Sequence, residues 1–335
     1  MSETLEKPLM NVTASRVGQG AKVIKHQGIA LVIPAYNEAG TIAATMAQFY
    51  AQLPEVAIWV INNNSSDDTA QVAQRALDAL GARGGVMDEP RQGKGNAVRR
   101  GFLEVDADIY ILVDADTTYS PVDICQMVHL VASGQADMVV GDRGMAGDYK
   151  RENKRKFHLL GNNLVRWLVN RLFDAQLMDI MSGYRVFSRR FIKNYPITVA
   201  GFEIETDMTL HALDKKFAIR EWPVEYKDRP EGSFSKLSTF KDGYRVLKTI
   251  FNILRHYRPL IFFGSIALLL AGVSGLTGWL VIEDFLQDHY VNKIPMAVLS
   301  AGIGIVAIVF FAIALILDTI VANEKRNFEK SLHKP

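Results

Sequence analysis

Of the 335 residues only one, Cys125, is a cysteine. No internal disulfide can form, and the chain fits a reducing compartment. With no base evident nearby, Cys125 reads as a buried helix residue rather than a nucleophile. An excess of one charge sign is also missing. The 38 Lys and Arg stand against 36 Asp and Glu, a formal net charge of +2. That balance gives no broad positive field and argues against nucleic acid as a partner. The phosphate-loop spacing Gly-x-x-x-x-Gly-Lys-Ser/Thr is absent too. Residues 1–28 hold no apolar run of signal-peptide kind and read as a flexible leader, in which Arg16, Lys22 and Lys25 could touch a membrane. No internal repeat or low-complexity tract stands out.

What the chain does have is two uncharged, apolar runs near its C-terminus, Pro259–Ile282 and Ile294–Leu317. Each has roughly the 20 residues a helix needs to cross a bilayer. Basic residues flank the pair (Arg255 and Arg258 before, Lys325, Arg326 and Lys330 after), while the connecting loop Glu283–Lys293 is acidic on balance. The positive-inside rule then places both ends in the cytoplasm, so the expected location is a multi-pass protein of the cytoplasmic membrane. Gly272, Gly275, Gly278, Ser300 and Gly304 favour close helix contact, within the hairpin or between subunits of a homo-oligomer.

Ahead of the hairpin the pattern alternates between strand and helix. Apolar runs at Ile29–Ile33, Val56–Ile61, Ile109–Val113 and Ala136–Val140 read as buried parallel strands, with helical spacing between them. Repeated β-α units of this kind make a mostly parallel, Rossmann-like α/β sheet covered on both faces. Ligands in such sheets bind at the carboxyl ends of the strands, where Asn62, Asp114, Asp116 and Asp142 fall. Two further segments, Lys150–Phe173 and Phe240–Arg258, are basic and amphipathic, with apolar stripes at Phe157, Leu160, Leu164 and Leu168 and at Phe240, Tyr244, Leu247, Phe251 and Leu254. The second leads straight into the first span and reads as an interfacial membrane helix.

Asp114-Ala115-Asp116 puts two carboxylates at a strand end, before the turn Thr117–Pro121. Mg²⁺ and Mn²⁺ favour such oxygen ligands and commonly bridge them to substrate phosphates. In Gln92-Gly93-Lys94-Gly95-Asn96-Ala97 the glycines allow close backbone approach, and Lys94 near a helix N-terminus favours phosphate.

With these elements in order, the chain resembles the family-2 glycosyltransferases of GT-A fold. Within them it resembles the polyprenyl-phosphate glycosyltransferases, the group that includes dolichyl-phosphate mannose synthases. The resemblance runs from about Ile29 to the C-terminus. It rests on Val32–Glu38, Asn62–Thr69, Gln92–Ala97, Asp114–Asp116, Val140–Arg143, Gly161-Asn162, Asp179–Arg185, Phe202–Glu205, Arg229–Lys236 and the hairpin.

The resemblance implies a role for each matching residue. Pro34, Tyr36 and Glu38 would contact the nucleoside, with Asn62 or Asn63 at the base or ribose and Lys94 near the nucleotide. Asp114 would meet ribose or sugar, and Asp116 the metal at the diphosphate. Arg143 would face the acceptor phosphate. Ser182, Gly183, Tyr184 and Arg185 would shape the sugar and acceptor region. Glu205 would orient the sugar, and Arg229, Ser235 and Lys236 would close over the phosphates. Two departures stand out. The Asn62–Asn64 run lacks the family's acidic pair, and an amide oxygen suits uracil N3–H, which leans toward a uridine nucleotide. Thr118 stands where the mannose synthases carry a metal-binding Gln, making Asp114, Asp116 and Thr118 the candidate metal ligands.

The expected reaction is inverting transfer of a sugar from a nucleotide sugar, UDP-linked in preference, to a polyprenyl phosphate lipid, with Mg²⁺ or Mn²⁺. GDP-mannose as donor is the alternative, and an inactive membrane scaffold of the same fold is the alternative of another class. The expected layout is a leader (1–28), a GT-A domain (29–233), an amphipathic juxtamembrane helix (234–258), two spans (259–322) and a basic cytoplasmic tail (323–335).

Overall fold

The computed structural model describes residues 28–144, 156–201, 203–227 and 239–332. The expected leader, apart from Gly28, lies outside them.

Seven strands form one sheet: β1 (Ile29–Ala35), β2 (Ala57–Asn62), β3 (Gly84–Asp88), β4 (Ile109–Leu112), β5 (Met138–Asp142), β6 (Arg185–Ser188) and β7 (Ile219–Pro223), in the order β3-β2-β1-β4-β6-β5-β7. All neighbours run parallel except β6, which is antiparallel to both β4 and β5. The Rossmann-like, mostly parallel α/β sheet expected from the sequence is present, with three strands, β3, β6 and β7, that the sequence did not announce.

Helices α1 (Ile42–Gln52), α2 (Thr69–Leu80) and α4 (Ile124–Ala132) cover one face; α3 (Lys94–Glu104), α6 (Arg189–Asn194) and α7 (Ile204–Asp214) cover the other. Side-chain alternation assigns each strand residue to a face. Leu31, Ile33, Ile58 and Val60 join Met46 and Phe49 in one core, while Ala30, Val32, Ile61 and Leu112 join Val98, Phe102, Phe187 and Phe191 in the other. This double burial is why the strands read as unbroken apolar runs. Local signals close the elements. Gly81 takes the left-handed conformation past the end of α2. The Ser188 hydroxyl caps α6 by accepting from the Phe191 amide at 3.1 Å.

A third core ties the membrane-proximal helices to the domain. Val165 and Val169 of α5 (Lys156–Phe173), Leu210 of α7 and Ile253 of α8 (Thr239–Tyr257) pack with Ile180. The buried face of α5 is therefore one residue out of register with the stripe expected from the sequence. Leu164 is 42% and Trp167 60% exposed, and Phe251 on α8 is 45% exposed. Phe251 also borders the apolar helices, meeting Phe262 edge-on at 5.0 Å.

Helices α9 (Pro259–Asp288) and α10 (Ile294–Leu332) form the expected hairpin. Both are long and apolar enough to cross a membrane, and little of their apolar surface is buried in the protein, which points to membrane association. They meet through small residues. Ser274 and Ser300 exchange hydroxyl-to-carbonyl hydrogen bonds at 2.8 Å each way, beside Gly278 and Gly304. Gly272 and Gly275 face no neighbour.

The segment expected as a basic tail from residue 323 continues α10 as far as Leu332. This part docks back on the domain. Lys325 pairs with Asp214 at 2.6 Å, and the Phe328 ring packs on His211 and Phe217. An apolar and a charged contact one turn apart explain why the helix persists beyond its apolar segment. Cys125 is also corrected: it is exposed, at the start of α4.

Candidate active site

β3, β2, β1 and β4 are parallel neighbours, so their carboxyl ends open on one edge. Connections leave in opposite directions on either side of β1, which makes this edge the crevice where such sheets bind ligands. Pro34 and Tyr36 lie at the end of β1, Asn62 ends β2, Asp88 ends β3, and Asp114 and Asp116 follow β4. Tyr36 is 40% exposed and able to stack on a ligand.

Two loops at this edge brace one another. The Asn37 side-chain oxygen accepts from the Ser66 amide at 2.8 Å, and the Asn37 amide donates to the Ser65 hydroxyl at 3.1 Å. The Glu38 amide donates to Thr69 Oγ1, and its carboxylate accepts from the Thr41 hydroxyl at 2.8 Å. The two asparagines proposed for the base part company. Asn62 is half-buried at the rim. Asn63 is buried, donates to the carbonyls of Glu89 and Arg91 and accepts from the Gly93 amide at 2.7 Å. Its amide braces the loop ahead of Lys94, and of the pair Asn62 is the one placed to meet a ligand.

That loop runs against the Val199–Ala200 backbone. A Cβ on Gly93 or Gly95 would stand 2.2 Å from a carbonyl oxygen there, so only glycine permits the approach. The result is to deliver Lys94 into the site. Its ammonium contacts Asp114 and reaches Glu205 Oε1 at 2.5 Å, with only 10% of the side chain exposed. Burial works against the charge, but Asp114 and Glu205 outweigh it and hold the ammonium above the usual lysine range. Gly183 completes the fit, since a Cβ there would fall on the Asp114 carboxylate.

Asp116 is 5% exposed and accepts from the Thr118 hydroxyl at 2.6 Å and from the Thr118 amide at 3.2 Å. Between them Thr117 holds φ at 59°, unusual for a β-branched residue and a mark of local strain. Thr118 thus stands behind Asp116 and orients it. Among the described residues no three His, Cys, Asp or Glu side chains converge to hold an ion alone. The donors present are hard oxygens and fit a hard divalent cation when oxygens from a substrate complete its shell.

Arg143 follows β5. It forms a two-pronged pair with Asp179, Nε to Oδ2 at 2.6 Å and Nη2 to Oδ1 at 3.0 Å, and lies over the Tyr226 ring. Burial opposes the Asp179 charge, but Arg143 overrides it and keeps that carboxyl below the usual range. Glu221 accepts from the Met178 and Asp179 amides and so supports the same segment; burial pushes its carboxyl up.

Arg185, expected among the catalytic groups that shape the sugar and acceptor region, is held inside the protein. It is fully buried, and its guanidinium donates to the Ser182 and Ile180 carbonyls and to Thr209 Oγ1 at 2.8–2.9 Å. It shapes the 180–183 segment, where the Gly183 amide also donates to the Tyr119 hydroxyl at 3.0 Å. Ser182 and Tyr184 are buried as well. Arg229, Ser235 and Lys236 lie outside the described residues. Sequence reasoning assigned nothing to Asp179, Glu221 or Asp88. Asp179 sat in a quoted motif, whereas Asp88 ends a strand too short and glycine-rich to be recognised.

Comparisons with known proteins bear on the family and the fold. The family model described as glycosyl transferase family 2 matches residues 30–195. Glycosyltransferase AglJ of Haloferax volcanii is 26% identical over 305 residues, covering 90% of this chain and 97% of that protein. Polyprenol monophosphomannose synthase of Mycolicibacterium smegmatis is 25% identical over 243 residues, covering 70% of this chain and 88% of that protein. Among solved structures, glucosyl-3-phosphoglycerate synthase from Mycobacterium tuberculosis, in complex with Mn²⁺, uridine diphosphate and phosphoglyceric acid, aligns with a TM-score of 0.51 at 21% identity over 68% of this chain and 78% of that chain. That likeness is one of fold.

Proposed function

This chain belongs to glycosyl transferase family 2, in its polyprenyl-phosphate group, and we propose that it moves a sugar from a uridine diphosphate sugar onto a polyprenyl phosphate at the cytoplasmic face of a membrane. The observation that carries the reading is the buried Lys94–Asp114–Glu205 cluster beside Asp116, at the strand ends of a domain whose chain continues into two apolar helices.

Asp116, a hard oxygen donor oriented by Thr118 beside Asp114 and Lys94, is the residue proposed to hold Mg²⁺ or Mn²⁺ against a nucleotide diphosphate. Such an ion, when bound, stabilises negative charge developing on the departing diphosphate. Lys94 fixes the distance between Asp114 and Glu205, so that one meets ribose or sugar and the other orients the sugar from across the cluster. The acceptor is a phosphate oxygen, ionised at neutral pH, and no strong general base is required. In-line attack inverts the anomeric centre.

Arg143 is the guanidinium proposed for the acceptor phosphate. A phosphate takes the same two-pronged geometry that Asp179 occupies, so the lipid headgroup would exchange with that carboxylate. The exposed Leu164, Trp167 and Phe251 support a domain seated on the bilayer surface, which presents the lipid phosphate to Arg143 without extracting the chain. The basic flanks of the hairpin support a cytoplasmic domain. A relative named as a mannose synthase favours GDP-mannose as the second donor to test.

The test is a transfer assay on the full chain in detergent with undecaprenyl phosphate, Mg²⁺ or Mn²⁺ and one labelled donor at a time: UDP-glucose, UDP-N-acetylglucosamine or GDP-mannose. Label entering an organic-extractable, chelator-sensitive product supports the reading. Nucleotide binding with no transfer from a broad donor panel would favour a scaffold instead.

A further inference from the structure

β2 and β3 end side by side, with Asn62 and Asp88 as paired last residues. Asn62 Nδ2 donates to Asp88 Oδ1 at 2.7 Å, and Asn62 Oδ1 accepts from the Ser65 amide at 3.3 Å. Asp88 is exposed and Asn62 half-buried, at the same rim as Tyr36. We propose that Asp88 sets nucleobase specificity: it locks the Asn62 carboxamide in one orientation, and the locked amide selects uracil over cytosine. The proposal rests on the reading that the site takes a nucleotide sugar, and it adds the residue that chooses the base.

The two ends of a carboxamide have nearly the same shape, so an unrestrained Asn can turn over and present either one. An ionised carboxylate can only accept, so the end facing Asp88 is the NH2 group. The Ser65 N–H fixes the other end as oxygen by the same logic. Each end retains one further hydrogen-bonding position. The Ser65 hydroxyl, on the residue whose amide meets that oxygen, accepts from the Asn37 amide and keeps its own hydrogen to give. The rim therefore offers donor, acceptor, donor in that order: Asn62 Nδ2, Asn62 Oδ1 and the Ser65 hydroxyl. Uracil presents the complement, a carbonyl, the N3–H and a second carbonyl. Cytosine presents an amine, a bare ring nitrogen and a carbonyl, which would suit the amide only if it were turned over. Guanine ends on a second donor, its amine, where the rim also has a donor. The two pyrimidines have the same size and carry the same phosphates, so the difference between them isolates the amide.

The experiment measures dissociation constants for UDP, CDP and GDP, with pyrophosphate as a base-free control. It uses the full-length protein in detergent with Mg²⁺, as wild type, Asp88→Asn and Asp88→Ala. The wild type is expected to bind UDP at least about tenfold more tightly than CDP, the scale of one well-made hydrogen bond against one mismatch. In both variants the UDP-to-CDP ratio is expected to fall about tenfold, while pyrophosphate affinity and thermal midpoint stay unchanged, a pattern that loss of structure would not produce. A wild type that favours UDP with an unchanged ratio in the variants overturns the role of Asp88 alone. A wild type that favours CDP or GDP, or that binds pyrophosphate without discriminating bases, overturns the uracil assignment. Binding of neither nucleotide nor pyrophosphate overturns the nucleotide-sugar reading itself.

Discussion

Replacing Gly183 by Ala should separate folding from function. A Cβ at this position would lie 2.5 Å from Asp114 Oδ2 and 3.0 Å from Lys94 Nζ, where ordinary contact begins at 3.4 Å. The carboxylate must therefore retreat about 0.9 Å, the difference between 3.4 and 2.5 Å, and the ammonium about 0.4 Å. Both atoms are ends of side chains, so small rotations relieve the clash. The stability cost should stay near the low end for overpacking, about 1 kcal/mol. Catalysis is less forgiving, because a displacement of about 1 Å in a positioned group can cost on the order of 10²-fold in rate. Gly40→Ala is the matched control, since a Cβ there meets nothing within 4 Å. The assay is initial-rate sugar transfer across donor concentrations, alongside thermal unfolding of the same samples. Gly183→Ala is expected to lose between ten- and a hundredfold in turnover, by the same positional argument, with a thermal midpoint within a few degrees of wild type. Turnover within twofold of wild type would show that the Lys94–Asp114 geometry is not critical and would refute the reasoning.

Three further outcomes are expected. Asp116→Asn should lower turnover at least about 10²-fold without changing expression, as for loss of a key electrostatic group, and near-normal, chelator-sensitive activity would remove Asp116 from the metal. Arg143→Ala should raise the KM for lipid phosphate while nucleotide affinity holds; selective loss of nucleotide binding would reject the acceptor role. His211 is buried under Phe328, and burial, aided by the Lys215 charge, pulls its imidazole down to about 4. The folded protein then binds fewer protons than the unfolded chain between about pH 6.5 and 4, so stability should fall as pH drops through that window, by on the order of 3 kcal/mol from this group. His211→Phe should flatten that slope, and an unchanged urea midpoint profile would disprove the assignment.

Periodicity carried much of the fold. Four of the buried strands announced themselves as apolar runs and the hairpin by its length, whereas β6 opens on Arg185 and is too short to stand out. β3 and β7 did not, because Gly84-Gly85 and Arg220-Glu221 break the apolar signal at the sheet's edges. The register of α5 was misjudged because Leu164 looks like a core residue until its surroundings are known, whereas Val165 and Val169 fit beneath Ile253. At the site, spacing located Lys94, Asp114 and Asp116. It could not reveal that Arg185 turns inward to hold two carbonyls of its own loop and the Thr209 hydroxyl of α7, or that Asn63 is consumed by backbone. Those outcomes depend on which partners the folded chain brings within about 3 Å, and sequence position says little about that.

Helix α10 also works as a ruler. Its 39 residues span about 58 Å at 1.5 Å per residue, roughly twice the hydrocarbon thickness of a bilayer. If the membrane segment ends at Leu317, Lys325 stands eight residues, or about 12 Å, beyond that boundary. Its grip on Asp214 fixes the stand-off of α7, whose other end carries Glu205. Height and azimuth are thereby coupled. One residue inserted after Leu317 would lift the docking turn only about 1.5 Å but swing Lys325 and Phe328 through 100°, off the domain. Seven residues would restore the facing direction and raise the catalytic centre about 10 Å above the plane where lipid phosphates lie. On the proposed reading, the spacing between bilayer and chemistry is therefore written in whole turns of one helix.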